Sequence, residues 1–424
     1  MENNIEVISN GFFKYQRGRF YAEETPVESI AEKYGTPCYV YSRHSLLSQI
    51  NKFKAAFKNV DAPLICFSVK ANSNLTLLKM MEEQGLGADV VSGGELRKAL
   101  LAQFPPKKIV FAGVGKKEDE IELGVKEKIY CFNIENEEET DIIEKYAKQH
   151  KRTVICNLRL NLDIDVDTHH YIKTSIKETK FGLDLKTASR ILRNNKNNRH
   201  INIKGFHMHL GSQLKDIQPY VEALDKVNRF CKEIGFKPEI IDLGGGFGIP
   251  YSSQDRMDDI GRFGDAIATK IKEMGVKVLI LEPGRYIVGN TAVLLSRVLY
   301  VKKRQGKNFI ITDTGMNDII RPAFYGGYHS IFPAKKSKKT TKQMKADIVG
   351  PICETSDYIG KDIDVPADIQ KGDILVVGSA GAYCFSMASN YNCRPRPCEV
   401  MVKKEKVSVI RKREEYKDLW NKEL

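Results

Sequence analysis

Eight short apolar, β-branched runs alternate with amphipathic stretches, and that alternation limits the fold more than any other feature of the chain. The runs fall at 64–71, 87–91, 109–112, 129–134, 153–160, 203–210, 239–243 and 278–282. Each is too short for a typical helix and reads as a buried strand. Between them, 75–84, 95–102, 137–149, 220–234 and 262–274 place apolar residues three and four apart, which predicts helices. Strand–helix alternation requires a parallel sheet covered on both faces. Eight such units predict a closed (β/α)8 TIM barrel, an α/β fold. After about residue 287 the rhythm changes: 291–302, 308–312, 346–349 and 373–377 read as strands with few helical patterns between them. An all-β second domain, sandwich- or barrel-like, is expected there. Segments 11–15 and 19–21 also read as strands, expected to join that domain. The expected division is 38–286 for the barrel, and 1–37 with 287–424 for the β domain.

Composition removes several classes. Hydrophobic residues make up 42% and charged residues 29% of the 424, a globular balance that excludes disordered and collagen-like chains. The nine cysteines are odd in number and form no CxxC pair, so neither a disulfide framework nor a metal site is expected. Reduced thiols fit a cytoplasmic protein. No apolar run approaches the roughly 18 residues that span a bilayer, and residues 1–5 lack the basic and apolar regions of a secretory leader. Neither a membrane anchor nor a leader is expected. The net charge of +13 invites a nucleic-acid reading, but no helix-turn-helix, zinc finger or RNA-binding aromatic motif accompanies it. A solvated basic surface suited to anionic small molecules is the expectation. The stretch KKSKKTTK at 335–342 reads as a loop.

In a TIM barrel the chemistry sits at the C-terminal ends of the strands. Here those ends carry Lys70, then Ser92-Gly93-Gly94, His207-Met208-His209 with Ser212, Asp242-Leu243-Gly244-Gly245-Gly246, and Glu282-Pro283-Gly284-Arg285. Consecutive glycines expose backbone N–H groups that can cradle phosphate. The loops after strands seven and eight are the usual phosphate site of this barrel. A lysine amine against an apolar strand loses proton affinity and can form a Schiff base. By period two, Lys70 would share a face with Cys66 and Ser68. A phosphate cradle, such a lysine and an inward carboxylate together suggest pyridoxal 5′-phosphate, whose ring nitrogen wants an acidic partner. Glu282 is placed to be that partner, and His209 to lie flat against the ring. Cys66 and Cys384 are expected to be packing residues.

The motifs SVKANSN (68–74), GADVVSGGEL (87–96), HMHLGSQ (207–213), LGGGFG (243–248) and EPGRY (282–286) resemble those of the fold-type III pyridoxal phosphate decarboxylases, the alanine racemase and ornithine decarboxylase-like group. The resemblance runs from GTPCYVYS at 35 to SNYNCRPRPCEVMV ending at 402. It implies that Lys70 holds the cofactor covalently, that Asp89 helps position Lys70, and that His209 stacks on the ring. It further implies that Ser212, Gly244, Gly245, Gly246, Gly284, Arg285 and Tyr383 bind the phosphate, and that Glu282 pairs with the ring nitrogen. Cys353, in GPICETSD, matches the cysteine that returns a proton after carbon dioxide leaves. In the family that segment comes from the partner subunit, which implies a homodimer with shared sites.

Within the family the chain is similar to the branch acting on meso-2,6-diaminopimelate in the last step of lysine biosynthesis. The far end of that substrate carries both an amine and a carboxylate. Arg321 and Tyr325, in IIRPAFYGGYH, and Arg285 match the carboxylate readers, and Glu354 matches the reader of the amine. An Arg–carboxylate fork is strong and directional, and a decarboxylase of ornithine or arginine would have little use for Arg321. Carboxynorspermidine is less easily set aside. A racemase would lack the EPGR and CETSD pairing, and a non-catalytic homologue should have lost Lys70 or Cys353. THHYIKT at 168–174 with KFGL at 180–183 also looks like the diaminopimelate branch. Thr355 and Ser356 depart from the commoner Ser and Gly, as do Phe67-Ser68 from Tyr-Ala, and Leu162-Asp163-Ile164 replaces a usual Asn-Pro turn. None removes a catalytic group.

Overall fold

The computed structural model describes residues 11–164, 179–338 and 340–423. The stretch at 168–174 and the first residues of the chain therefore lie outside the described residues. The chain divides into two compact units: 50–248 with 257–286, and 1–49 with 249–256 and 287–424.

The first unit is a closed barrel of eight parallel strands in chain order. They are Leu64–Ser68, Gly87–Val90, Ile109–Phe111, Cys131–Ile134, Val154–Arg159, Ile201–His207, Ile240–Asp242 and Val278–Leu281. The eighth closes on the first through Ile280↔Leu64 and Leu281↔Ile65. Cys66, Val110, Cys131, Ile240 and Ile280 meet inside as an apolar floor. Burial raises the Cys66 thiol well above its usual range, so it packs there as an inert thiol.

The expected strand at 64–71 stops at Ser68, because Val69–Ala71 turns into a short 3-10 helix. That turn packs against Gly284, where a Cβ would come within 2.9 Å of Ser68 Cβ and Ala71 Cβ. Lys70 thus leaves the strand face shared by Cys66 and Ser68 and stands over the mouth. The helices Leu75–Glu83, Gly93–Leu101 and Ile260–Met274 start where the Asn74, Ser92 and Asp259 side chains accept backbone N–H groups. The helix Glu118–Glu127 was not expected, since its run is acidic and interrupted by Gly124. A Cβ at Gly124 would meet the Phe132 ring at 2.6 Å, so packing overrides helix propensity there.

The second unit is mostly sheet. Its spine is the 13-residue strand Ala292–Arg304. That strand pairs with Cys38–Ser42 and Ile374–Val377 along its first half, and with Lys307–Thr312 along its second. Cys398–Lys403 continues the sheet beyond Cys38–Ser42 in parallel. The boundary therefore falls after Gln49 rather than at Cys38, because Val40 is registered between Val293 and Val400. The segments at 11–15 and 19–21 form their own antiparallel sheet, Phe13–Gln16, Arg19–Ala22 and Thr25–Pro26. They place Phe13 and Phe20 in one core with Val293, Phe332 and Val376. The eight-residue helix Val27–Tyr34 lies in this unit as well. Among the described residues no helix is long and apolar enough to cross a membrane.

Candidate active site

The barrel floor is apolar, but the layer above it is polar and dry. Three carboxylates, Asp89, Asp242 and Glu282, are buried there with Ser68, Asn133, Asn157 and His207. Such a cluster persists only if its charges are paired or neutralised. Lys70 Nζ lies 3.0 Å from Asp89 Oδ2, and the same oxygen accepts from Ser68 Oγ at 2.7 Å. Ser68 Oγ also lies 2.9 Å from the Glu282 carbonyl oxygen. First-strand, second-strand and eighth-strand ends are thereby tied together. Burial first, then the nearby Glu282 charge, raise the Asp89 pKa, with Lys70 opposing them.

Glu282 and Asp242 divide one charge between them. Their oxygens and a His207 nitrogen lie within 4.8 Å of one another. Asn133 Nδ2 donates to Asp242 Oδ2 at 2.8 Å and reaches Glu282 Oε1 at 3.5 Å. Burial, and then the Glu282 charge, push Asp242 well above the carboxylate range, which favours its protonated form. Burial works against the Glu282 charge too, but His207, 3.5 Å away, and then Lys70 hold its carboxyl below the usual range. Glu282 is the ionised member of the pair.

His209 lies just beyond the sixth strand. Burial first, then Lys70 and Arg159, lower its pKa well below the ordinary value, so the ring is neutral. Gly245 N–H donates to its Nδ1 at 3.2 Å, which leaves the proton on Nε2. The glycine run admits no side chains: a Cβ at Gly244 would sit 2.4 Å from Met208 O, and one at Gly245 2.3 Å from Glu282 O. Gly244 N–H donates to Asp242 Oδ1 at 3.0 Å. Two of the three glycine N–H groups expected to face the phosphate are therefore engaged within the protein. Arg285 Nη2 donates to Ser212 Oγ at 2.9 Å.

Asn133 was not foreseen from the sequence, and Asp242 and His207, read there as strand-end residues, were not expected to meet Glu282. Their signal was a polar residue at the C-terminal end of an apolar strand, as in CFNI and IID. Arg159 and Glu135, 2.6 Å apart, carry the same signal.

The remaining expected residues belong to the sheet unit. Arg321 is buried at the start of the short helix Arg321–Tyr325. Cys353 is exposed, and its N–H donates to Asn392 Oδ1 at 2.8 Å. Glu354 is also exposed and accepts from Tyr391 OH at 2.5 Å. Tyr383 has a φ of 57°, a left-handed conformation uncommon for a side chain of its size. Gly381, two residues earlier, packs so close that a Cβ would sit 1.8 Å from the Val288 carbonyl. Arg321 and Glu354 take part in separate hydrogen-bond networks.

These residues fit pyridoxal phosphate. Lys70 is partly exposed over the mouth, an ionised carboxylate lies below it, and the glycine run gives close backbone approach. Among the described residues Asp89 Oδ1 and His207 Nδ1 are buried without hydrogen-bond partners, and His207 Nε2 reaches only Glu282, at 3.5 Å. The family described as pyridoxal-dependent decarboxylase, pyridoxal binding domain, matches residues 43–289. The chain is 40% identical to a diaminopimelate decarboxylase of Aquifex aeolicus over 96% of each chain. Among solved structures it is similar to the diaminopimelate decarboxylase of M. jannaschii in co-complex with L-lysine (36% identity, TM-score 0.92, 100% and 99% of the two chains). It is also similar to that of Helicobacter pylori complexed with L-lysine (37%, TM-score 0.88, 94% and 99%).

Proposed function

The chain belongs to the diaminopimelate decarboxylase family of pyridoxal-dependent decarboxylases, and on that premise we propose how its own residues divide the work. It converts meso-2,6-diaminopimelate to L-lysine and carbon dioxide with pyridoxal 5′-phosphate, the closing step of lysine biosynthesis. The observation that carries the assignment of roles is the barrel mouth, where Lys70, Asp89 and ionised Glu282 converge from three strand ends.

Lys70 Nζ would carry the cofactor, steadied by Asp89. Glu282 would pair with the ring nitrogen, and neutral His209 would cover a ring face without adding charge. Gly246 N–H, Ser212 and Arg285 would donate to the phosphate together with Gly284 and Tyr383, while Gly244 and Gly245 give the backbone close approach. Pyridoxal phosphate, when bound, supplies an electron sink for the pair released as the carboxylate departs. The bond from the D-configured α-carbon to its carboxylate would break, and the Cys353 thiol would return a proton to that carbon. Arg321, Tyr325 and Arg285 would hold the remaining carboxylate, and Glu354 the remaining amine.

The exposure of Cys353 and Glu354 in the single chain supports a homodimer in which they serve a second copy. Cysteines held as thiols rather than disulfides support a reducing, cytoplasmic setting. The direct test incubates the protein and pyridoxal phosphate with meso-diaminopimelate, and with ornithine, arginine and carboxynorspermidine in parallel. Lysine and carbon dioxide in equal amounts from diaminopimelate alone is the expected result. Carbon dioxide from another substrate without lysine would overturn the roles given to Arg321 and Glu354. Lys70→Ala should lose turnover and the visible absorbance of the bound cofactor together; turnover at the unaltered rate in that variant would refute its role.

A further inference from the structure

Arg321 is buried in the sheet unit, 7% exposed, yet among the described residues no carboxylate lies within ion-pair distance of it. A buried guanidinium is normally matched by an anion. Here its hydrogen-bond partner is an imidazole, His329, whose Nε2 lies 2.6 Å from Arg321 Nη1.

The sheet register fixes the state of that imidazole. Ile331 is paired with Val377 in antiparallel strands, and Gly378 N–H donates to Ser330 O at 2.8 Å. His329 is thereby placed beside Gly378, with Nδ1 2.9 Å from its carbonyl oxygen. A carbonyl only accepts, so Nδ1 carries the proton. A guanidinium only donates, so Nε2 must offer its lone pair. The ring is neutral and in one tautomer. It satisfies an Arg321 N–H without cancelling the charge, which an aspartate or glutamate in its place would do.

The guanidinium is also held from its face. Its carbon lies 4.4 Å from the Tyr251 ring centroid, and Tyr251 meets His329 edge-on with centroids 5.4 Å apart. Gly327 leaves room, since a Cβ there would come within 3.3 Å of Arg321 Nη2.

We propose that His329 and Tyr251 are positioning residues that keep Arg321 charged, dry and aimed, and that this trio sets the preference for ligands bearing a carboxylate remote from the reacting carbon. The inference rests on the reading of Arg321 as a carboxylate partner. L-lysine and cadaverine probe it, because they differ by that one carboxylate. Their inhibition constants are measured on the holoenzyme, with cofactor absorbance recorded for each variant. His329→Phe should weaken L-lysine about ten- to hundredfold, leave cadaverine unchanged, and raise KM for diaminopimelate with the cofactor fully loaded. His329→Gln, whose amide can accept from Arg321 and donate to Gly378, should restore most of the preference. Arg321→Ala is the control. If it leaves L-lysine binding unchanged, the reading of Arg321 fails. If it abolishes the preference while His329→Phe keeps it, the inference about His329 is overturned and that reading stands. Should His329→Phe not fold, Tyr251→Leu carries the test with the same expected loss, and retention of the preference there counts against the proposal.

Discussion

At the barrel mouth three buried carboxylates are crowded around Lys70 and His207, whereas in the sheet unit Arg321 is buried against a neutral imidazole and an aromatic face, with no carboxylate at ion-pair distance among the described residues. The first region contains more negative charge than a dry interior tolerates, and that crowding favours a proton on Asp242. The second leaves a positive charge uncancelled. Both choices follow from the same desolvation cost. The mouth confines one negative charge to Glu282, where a ring nitrogen needs it, and the Arg321 pocket preserves a positive one that only an incoming anion can match.

The largest effect that breaks this comparison is at the mouth. If Glu282 is the ionised member and Asp242 the protonated one, their amide variants are not equivalent. Glu282→Gln removes the charge and should lower kcat about 10²- to 10³-fold. Asp242→Asn replaces a neutral acid by a neutral amide that keeps one of the two acceptor oxygens and should cost less than Glu282→Gln, whereas Asp242→Ala strips the acceptors from both Asn133 and Gly244. Steady-state kinetics with cofactor retention measured alongside would decide it. Equal losses in the two amide variants would show that the charge sits on both residues or on Asp242.

A smaller effect is the pH dependence of stability, for which each unit offers one carboxyl. Burial pushes Glu95 of the barrel up to about 7, and Asp318 of the sheet unit likewise to about 7. Unfolded, both titrate near 4. Between about pH 4 and 7 the folded chain therefore binds more protons than the unfolded one. Their contribution is complete below about pH 4 and is lost as pH rises through about 7. Glu95→Gln and Asp318→Asn should each flatten the fall in Tm over that window by a few degrees. Thermal melts of both variants from pH 4 to 8 are the check, and a steeper fall in either would reverse the assigned direction.

The difference between the regions also governs what the sequence discloses. The barrel was legible because each strand is a short apolar run whose C-terminal end carries a chemically distinct residue. Lys70 and Glu282 were therefore legible as strand-end groups, and family motifs gave them roles. The Asn133–Asp242 bond was not, because it joins residues 109 apart that meet only when the cylinder closes. The His329 contact was hidden differently. Eight residues separate it from Arg321, but its meaning depends on the Gly378 carbonyl, which the sheet register delivers. The helix Glu118–Glu127 was missed because its glycine answers a ring on a neighbouring strand. In each case a local pattern was overruled by a partner distant in sequence.

The smallest effect sharpens the comparison from the exposed side. Glu354, the proposed amine reader, is solvent-exposed in the single chain and bonded to Tyr391 OH, itself 44% exposed. That bond is the leading cause of a raised Tyr391 pKa, so the phenol stays protonated and donates. An exposed pair is screened by water and holds little energy. Tyr391→Phe should therefore change KM for diaminopimelate by only about twofold, whereas Glu354→Gln, which removes the charge facing the amine, should raise it about tenfold or more. Arg321→Ala should exceed both, because its site is already dry. KM values for the three variants at full cofactor loading rank them. If Tyr391→Phe matches Glu354→Gln, the phenol itself contacts the substrate, and this part of the sheet unit becomes buried when the enzyme works.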